Sequence, residues 1–257
     1  MKIINGDCLD EMKLLQDKSI DLVFTDLPYG QLSCSWDCCI DLDLWWKEIM
    51  RIKKLNTPIF LTCTTKFGVS LINSAPKKLK FFDLVWVKSA PTGHLLAKKF
   101  PMRKHEMIYV FYEKLPFYDL SSHTHKFLKD KNGKDKIVEG RLGNCYEGKE
   151  VDKAKQGMYD PPLPVSVLKE EEKQVLYDPP LPTSMLEVKS TKGKHPTEKP
   201  VALMEWILKY YSKEGDVVLD STMGSGSTGV ACKNMNRDFI GIELDKEIFK
   251  VAEERLK

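Results

Sequence analysis

A carboxylate, a proline and an aromatic side chain stand together where an apolar, β-branched segment ends. The segment covers residues 19–25 and has the composition of a buried strand. It is followed by Asp26-Leu27-Pro28-Tyr29-Gly30. Open α/β sheets bind their ligands at the carboxyl ends of strands. Carboxylate and carbonyl acceptors beside a flat ring suit a planar heterocycle with an exocyclic amine; an ordinary strand-to-loop turn is the alternative.

A second group of chemically capable residues lies near the carboxyl end of the chain. Residues 216–220 predict a short apolar strand, residues 221–229 a glycine-rich turn opening a helix, and residues 239–243 a further strand. This order is typical of a nucleotide-binding βαβ unit, whose glycines let the backbone approach a ligand and whose final acid holds ribose hydroxyls. The candidate cofactor-binding residues here are Asp220, Ser221, Gly224, Ser225, Gly226, Thr228 and Glu243.

The glycine spacing alone leaves a different enzyme class open. Gly224, Gly226 and Gly229 match the fingerprint of dinucleotide-binding proteins. An NAD-dependent oxidoreductase is therefore an alternative. It is disfavoured because that fingerprint normally opens the chain and requires nothing like the segment at Asp26.

Taken together, the two groups resemble the DNA amino-methyltransferases. In that family a D/N/S-P-P-Y tetrad binds the target base and an F-x-G-x-G turn binds S-adenosylmethionine. The tetrad here is Asp26-Leu27-Pro28-Tyr29, with Leu27 at a usual proline position, and Met223 stands where the turn often has Phe. A third matching block, residues 195–200, precedes the turn. The tetrad comes first and the cofactor turn last, which resembles the circularly permuted β class.

The resemblance implies roles for further residues. It assigns catalysis to Asp26, Leu27, Pro28 and Tyr29. It places Asp7 and Cys8 beside the adenine ring of S-adenosylmethionine, although Asp7 also suits a helix N-cap. It places the block with His195 at the methionine end of the cofactor, where Thr197 and Lys199 would bind the carboxylate.

The elements that must position these residues predict an α/β fold. Strands are expected over residues 57–64, 81–88 and 105–112, and helices over residues 44–55 and 66–74. Strands that alternate with helices predict a doubly wound sheet. We therefore expect a Rossmann-like mixed sheet in a single methyltransferase domain, residues 1–257, with an inserted loop-rich target-recognition region at about residues 89–194.

Positive charge is concentrated in the middle of the chain. Residues 88–155 hold 15 Lys and Arg against 9 Asp and Glu, an excess larger than the +3 of the whole chain. Basic loops interleaved with aromatic residues suit a DNA-facing surface, although a solvated lysine face has the same composition. The insert falls where the resembled family keeps its target-recognition region, so we assign phosphate contacts to Lys98, Lys99, Arg103 and Lys104.

An internal repeat closes this region. Residues 159–168 recur as residues 177–186, each with an Asp-Pro-Pro that superficially echoes the tetrad. Neither copy follows an apolar strand, and Leu rather than Tyr comes after the prolines. We interpret both as rigid, extended spacers without a catalytic role.

Composition bounds the cellular setting. No apolar run approaches the roughly 20 residues of a membrane span, and the first residues lack a signal-peptide core. A cytoplasmic protein without membrane contact is therefore expected. The 7 cysteines form no C-x-x-C pair, which favours reduced thiols and gives no expectation of a metal site.

The resemblance implies transfer of a methyl group from S-adenosylmethionine to the exocyclic N6 of adenine. The target base would lie in a specific double-stranded DNA sequence and would be flipped out of the duplex before it reacts. Cytosine-N4 methylation is the nearest alternative, since the same geometry serves either amine; Asp at position 26 favours adenine in the family comparison. A homodimer and a cognate restriction enzyme remain open as partners.

Overall fold

A computed structural model describes residues 1–30, 39–92, 99, 102–122, 124–125, 177–178, 185–187 and 199–257. The chain forms two compact units. The first comprises residues 1–119 and 184–257, and the second comprises residues 120–183. The predicted boundaries of the target-recognition region, at about residues 89–194, remain a prediction.

The first unit is built on one sheet, which has eight strands among the described residues. Their order across the sheet is β1-β10-β9-β2-β3-β5-β4-β8. The bounds are β1 Lys2–Asn5, β2 Leu22–Thr25, β3 Ile59–Cys63, β4 Lys80–Thr92, β5 Arg103–Tyr112, β8 Met185–Glu187, β9 Val217–Asp220 and β10 Asp238–Glu243. The first five strands in this spatial order run parallel, so their carboxyl ends form one edge.

The sheet becomes mixed beyond β3. Strand β5 pairs antiparallel with both β3 and β4, and β8 joins the outer side of β4 in parallel. As a result β5 begins at the edge where its antiparallel neighbours β3 and β4 end. Residues at the start of β5 therefore lie beside the carboxyl ends of β2 and β3.

Helices fall into two packed sets. Helices α1 Cys8–Lys13, α2 Leu42–Ile52 and α3 Thr65–Ser74 contact one another in sequence, as do α4 Val201–Tyr211, α5 Ser227–Asn234 and α6 Lys246–Leu256. The predicted doubly wound, Rossmann-like α/β sheet is confirmed. None of the helices in the described part of the chain has the length and apolarity needed to cross a bilayer.

Side-chain caps begin several of the described helices. The side chain of Asp41 accepts a hydrogen bond from the Leu44 amide at 3.0 Å, and Thr64 caps α3 in the same way. Asp245 caps α6, as its position before the final apolar stripe predicts. These caps satisfy amides that the first helical turn leaves unbonded.

The core lies on both faces of the sheet. Trp45 and Trp46 of α2 are buried against the face that also holds Val23, and their rings meet edge to face at 4.8 Å. On the other face, Phe60 of β3 packs against Tyr211 of α4 at 5.1 Å. Ile59 and Leu61, which flank Phe60 in β3, belong to the first layer, so neighbouring positions of this strand face opposite layers, as the two-residue period of a strand requires.

The second repeat contributes strands to both units. In the second unit, β6 Thr124–His125 pairs antiparallel with β7 Tyr177–Asp178. In the first, Leu186 of β8 is buried against β4, opposite Trp86. The spacer interpretation therefore omitted strand formation at residues 177–178 and 185–187. The first copy lies outside the described residues.

Candidate active site

The site residues converge where the order of the sheet reverses. Strands β2 and β9 are neighbours, but β2 continues to β3 on one side and β9 continues to β10 on the other. Ligands of open α/β sheets bind at such a switch point, outside the carboxyl ends of the strands. Here β2 ends immediately before Asp26, and β9 ends at Asp220.

A buried chain of hydroxyl groups links these two strand ends. The Thr25 hydroxyl lies 3.1 Å from the Ser221 hydroxyl and 2.8 Å from that of Thr222. Thr222 donates to the backbone carbonyl of Asp26 at 3.0 Å, and the indole of Trp45 donates to Ser221 at 3.1 Å. The start of the tetrad is therefore fixed to the start of the glycine-rich turn.

The carboxylate of Asp26 is held by three donors. Its Oδ1 accepts hydrogen bonds from the hydroxyls of Tyr29, at 2.7 Å, and Thr62. Its Oδ2 accepts from Lys199 Nζ at 2.5 Å. Since each carboxylate oxygen has two acceptor positions, Oδ2 can take a further donor beside Lys199. Asp26 is thus an oriented, half-buried hydrogen-bond acceptor.

Tyr29 contributes both ends of its side chain. Its ring packs against Phe67 with centroids 5.1 Å apart, and its hydroxyl lies 2.7 Å from Asp26 Oδ1 and 3.2 Å from Glu106 Oε1. The single hydroxyl proton is therefore shared between two carboxylates, with Asp26 the nearer acceptor. Burial, followed by the charges of Asp26 and Glu106, raises the pKa of this phenol well above its ordinary value. The Tyr29 hydroxyl therefore keeps its proton and acts as a hydrogen-bond donor at physiological pH.

Sequence reasoning missed Glu106, which is buried at the start of β5. Its carboxylate lies 2.7 Å from Lys88 Nζ and 3.2 Å from Lys199 Nζ. Burial by itself would raise the pKa of Glu106, but the charges of Lys199 and Lys88 outweigh burial and lower it. The available signal was an acid beside the apolar residues of the predicted strand 105–112, where an unpaired carboxylate is costly.

Lys199 lies between the two acids. Burial would lower the pKa of its ammonium, but the neighbouring charges of Asp26 and Glu106 raise it above the ordinary value. The structure thus brings this residue to the tetrad. Binding of a cofactor carboxylate by Lys199 remains a prediction; His195 and Thr197, assigned to the same task, lie outside the described residues.

The glycine-rich turn has the backbone geometry that glycine permits. Gly224 has φ +53°, and Gly226, which precedes α5, has φ +81°. A Cβ at Gly224 would meet no atom within 4 Å, which leaves open space beside the turn. Ser225 is buried, and its hydroxyl and carbonyl accept hydrogen bonds from Arg255 at 3.0 and 3.1 Å.

Asp220 supports the turn from below. Its carboxylate accepts hydrogen bonds from the Thr228 hydroxyl at 2.6 Å and the Thr222 amide at 3.2 Å. Complete burial raises the pKa of Asp220 to about 7, although these hydrogen bonds lower it. This predicted cofactor residue is therefore internal, and Ser221 likewise is buried in the hydroxyl chain.

Glu243 closes the same edge at the end of β10. Its carboxylate accepts hydrogen bonds from the amides of Gly224, at 2.9 Å, and Asp245, at 2.8 Å. Burial raises its pKa above the ordinary value. The acid is thereby held beside the turn, as a ribose-binding acid must be.

The first strand brings Asp7 and Cys8 to this edge. Strand β1 pairs with β10 up to Asn5 opposite Glu243, and Asp7 then caps α1 by accepting from the Leu9 amide at 2.7 Å. Burial, with the charge of Asp7, raises the pKa of the Cys8 thiol to about 12. The thiol is protonated at neutral pH and is a poor nucleophile.

The basic residues assigned to DNA lie only partly within the described chain. Arg103 and Lys104 open β5 at the active-site edge; Lys104 is exposed, whereas Arg103 is half-buried and donates to Thr65 at 3.2 Å. Lys99 is exposed. Lys98 lies outside the described residues, so phosphate binding by this set remains a prediction.

The fold has counterparts among solved structures. A crystal structure of the M1.HpyAVI–SAM complex matches 99% of this chain and 99% of its own, at 24% identity and a TM-score of 0.60. The cytosine-N4-specific PvuII DNA methyltransferase covers 99% of this chain and 86% of its own, at 12% identity and a TM-score of 0.63. At these identities the matches establish the fold.

Sequence relatives extend over nearly the whole chain. YhdJ of Escherichia coli K12, named a DNA adenine methyltransferase, is 29% identical over 99% of this chain and 82% of its own length. M.HinfI of Haemophilus influenzae, named a type II methyltransferase, is 27% identical over 99% and 68%, respectively. The model of the N6_N4_Mtase family, described as DNA methylase, matches residues 20–254. This chain belongs to that family of DNA methylases.

Proposed function

We propose that this chain transfers the methyl group of S-adenosylmethionine to the exocyclic N6 of adenine in a specific duplex DNA sequence. The observation that carries the proposal is the placement of Asp26. Its carboxylate is oriented by Tyr29, Thr62 and Lys199, and its backbone is tied by Thr222 to the cofactor turn. An acceptor for an amine and a turn for a nucleotide thus share one edge of the sheet.

The residues of the turn fit S-adenosylmethionine. Open space beside Gly224 admits the cofactor to the backbone, and Glu243 stands ready to accept hydrogen bonds from ribose hydroxyls. Asp7 and Cys8 would flank the adenine ring, and His195, Thr197 and Lys199 would serve the methionine end. When bound, the cofactor supplies an electrophilic methyl group on a sulfonium.

Asp26 acts by making the target nitrogen a better nucleophile. The lone pair of an exocyclic amine is delocalised into the ring, and hydrogen bonds from both N–H groups draw the nitrogen toward tetrahedral geometry. We assign these bonds to Asp26 Oδ2 and to the backbone carbonyl of Leu27. Acceptors fixed in advance stabilise the positive charge that develops on nitrogen during transfer.

Tyr29 would support the base outside the duplex. A base inside a stacked helix cannot reach the acceptor, so the nucleotide must be flipped into the site. The Tyr29 ring is braced by Phe67 and its hydroxyl by Asp26, which fixes a flat surface beside the acceptor. Stacking on such a surface offsets part of the cost of unstacking the base.

Relatives support adenine over cytosine. YhdJ is by name an adenine methyltransferase and aligns with nearly this whole chain. Asp at the first tetrad position favours the same base. The chain order, with the tetrad after β2 and the cofactor turn after β9, supports the circularly permuted β class.

The proposed DNA surface includes Arg103 and Lys104 at the start of β5, Lys98 and Lys99 a few positions earlier in the sequence, and the region at about residues 89–194. A homodimer and a cognate restriction enzyme are further partners to test. Sedimentation with and without duplex DNA would decide the first. Co-purification with an endonuclease that cuts the same unmethylated sequence would decide the second.

The decisive experiment identifies the methylated atom. Purified protein is incubated with S-adenosylmethionine and a random-sequence duplex, and the digested nucleosides are resolved by mass spectrometry. The wild-type protein should produce N6-methyldeoxyadenosine, and the Asp26→Ala variant should produce none. Detection of N4-methyldeoxycytidine would show that cytosine is the target base. An unmodified duplex would overturn the proposed methyltransferase activity. Single-molecule sequencing of the same product then gives the sequence context.

A further inference from the structure

Glu106 has no role in the tetrad or in the cofactor turn, yet it occupies the centre of the site. It belongs to β5, which reaches the tetrad because that strand is antiparallel to β3. The side chain is 10% exposed and its carboxylate contacts Tyr29, Lys199 and Lys88. Two of these partners, Tyr29 and Lys199, are also the partners of Asp26.

The four ionic groups form a neutral cluster. Asp26 and Glu106 each contribute one negative charge, and Lys199 and Lys88 each contribute one positive charge. Lys199 Nζ bridges the two acids, at 2.5 Å from Asp26 Oδ2 and 3.2 Å from Glu106 Oε1. The side chain of Lys199 is 11% exposed, so water screens these interactions little.

Sharing of Lys199 matters because Asp26 Oδ2 is the acceptor assigned to the target amine. An ammonium with Asp26 as its one partner could move across both acceptor positions of this oxygen, whereas an ammonium that also bonds to Glu106 is fixed at one of them. A second carboxylate gives the ammonium another partner, and it is also a second, more distant acceptor for the single proton of the Tyr29 hydroxyl. Glu106 thereby keeps Asp26 oriented while leaving acceptor capacity for the substrate.

We propose that Glu106 is a positioning residue for methyl transfer, acting on Asp26 through Lys199 and the Tyr29 hydroxyl. The proposal rests on the function proposed above, because it concerns the same acceptor. It assigns Glu106 no direct contact with base or cofactor. Its loss should slow the chemical step much more than it weakens cofactor binding, because Lys199, which is also assigned to the methionine end of the cofactor, keeps its shorter ion pair with Asp26.

The first test compares two carboxylates near opposite ends of β5. Glu106→Gln removes the charge and keeps the side-chain size. Glu113→Gln is the matched control: Glu113 follows β5 at its other end and also contacts two lysines, Lys53 at 2.9 Å and Lys78 at 3.2 Å. Single-turnover methyl transfer, the KM for DNA and the Kd for S-adenosylmethionine are measured for each variant.

Glu106→Gln should slow transfer by about 10- to 100-fold, the loss seen when a residue that orients a metal ligand is replaced, since Glu106 orients a reactive group in the same indirect way. Its KM for DNA should match the wild type, its Kd for the cofactor should rise by a much smaller factor than the rate falls, and Glu113→Gln should transfer at the wild-type rate. Glu106→Asp, which keeps the charge, should restore part of the rate. If Glu106→Gln does not fold, Glu106→Asp replaces it in the test. Its transfer rate should then fall by a larger factor than its affinities for DNA and cofactor.

A double-mutant cycle separates positioning from general support. If Glu106 acts through Lys199, adding Glu106→Gln to Lys199→Met should slow transfer less than it does in the wild type. Additive losses would overturn the proposed route through Lys199. A wild-type transfer rate in Glu106→Gln would overturn the positioning role while leaving the methyltransferase function intact. Absence of transfer by the wild-type protein would overturn both.

Discussion

The hydroxyl of Thr222 donates to the backbone carbonyl of Asp26 at 3.0 Å, although 196 positions separate the two residues. One residue belongs to the cofactor turn and the other to the tetrad. Their bond fixes the distance between the two proposed substrates before either binds. Fixed relative placement of two reactants can supply several kcal/mol of a reaction barrier.

Replacement of Asp26 by alanine should abolish methyl transfer. The substitution removes the acceptor assigned to the amine and leaves the cofactor turn intact, so cofactor affinity should fall much less. Transfer of labelled methyl groups to DNA and calorimetric titration with S-adenosylmethionine measure the two effects. Asp10→Ala, at an exposed acid on α1, is the control. Near-normal turnover by Asp26→Ala would refute the assigned role.

Replacement of Glu243 by alanine should weaken cofactor binding. Each hydrogen bond from a ribose hydroxyl to a charged carboxylate contributes about 1.5–3 kcal/mol, so the Kd should rise by about tenfold or more. The loss of the bonds to Gly224 and Asp245 acts in the same direction. Glu247→Ala, at an exposed acid of α6, is the control for calorimetry. Equal affinity in all three proteins would contradict ribose binding at Glu243.

Local motifs carried most of the successful sequence prediction. The strand that ends before Asp26, the glycine-rich turn that opens α5 and the cap at Asp245 each depend on a few consecutive residues. The surroundings of Asp26 do not depend on consecutive residues. Thr62 and Glu106 are brought to the site by the pairing of β3 with β5. Sequence spacing contains no signal for such a pairing partner. The contacts of Lys199 were missed for the same reason.

Reversal of exposed basic charge near the site should reduce the salt dependence of DNA binding. Lys99→Glu with Lys104→Glu removes up to two phosphate contacts, and each contact accounts for about 0.9 of the slope of log K against log salt. Lys77→Glu with Lys80→Glu makes the same charge change beyond the opposite end of the β4–β5 hairpin. Fluorescence anisotropy over a salt series compares the two. Equal slopes would show that Lys99 and Lys104 are part of a solvated surface and do not contact phosphates.

Stability should fall with rising pH because of Asp220. Burial raises its pKa in the folded state to about 7, above the ordinary aspartate value of 3.8. The folded state therefore binds the proton more tightly. Its contribution is complete below the unfolded pKa and is lost toward pH 7, at about 1.4 kcal/mol per pH unit.

The isosteric variant Asp220→Asn isolates this effect. Its amide resembles the protonated acid and does not titrate, so its free energy of unfolding should lack the Asp220 slope between pH 4 and 7. Urea unfolding at several pH values measures both proteins. The free energy of unfolding of the variant should rise relative to that of the wild type as the pH increases. Parallel curves would show that Asp220 is ionised in the folded protein throughout this range.

Replacement of Leu27 by proline should separate activity from stability. The tetrad usually has proline at this position, and the proposed mechanism uses only the backbone carbonyl, so transfer should continue. The Leu27 side chain, however, is 1% exposed and belongs to the core with Trp45. The smaller proline ring leaves part of this volume unfilled, and we expect a loss of about 1–3 kcal/mol in the free energy of unfolding. Urea unfolding and single-turnover transfer on one duplex measure the two effects, with Leu27→Ala as the variant that loses the side chain without the ring. Loss of transfer in a folded Leu27→Pro protein that retains cofactor affinity would mean that the Leu27 amide or side chain, and not its carbonyl alone, shapes the base site.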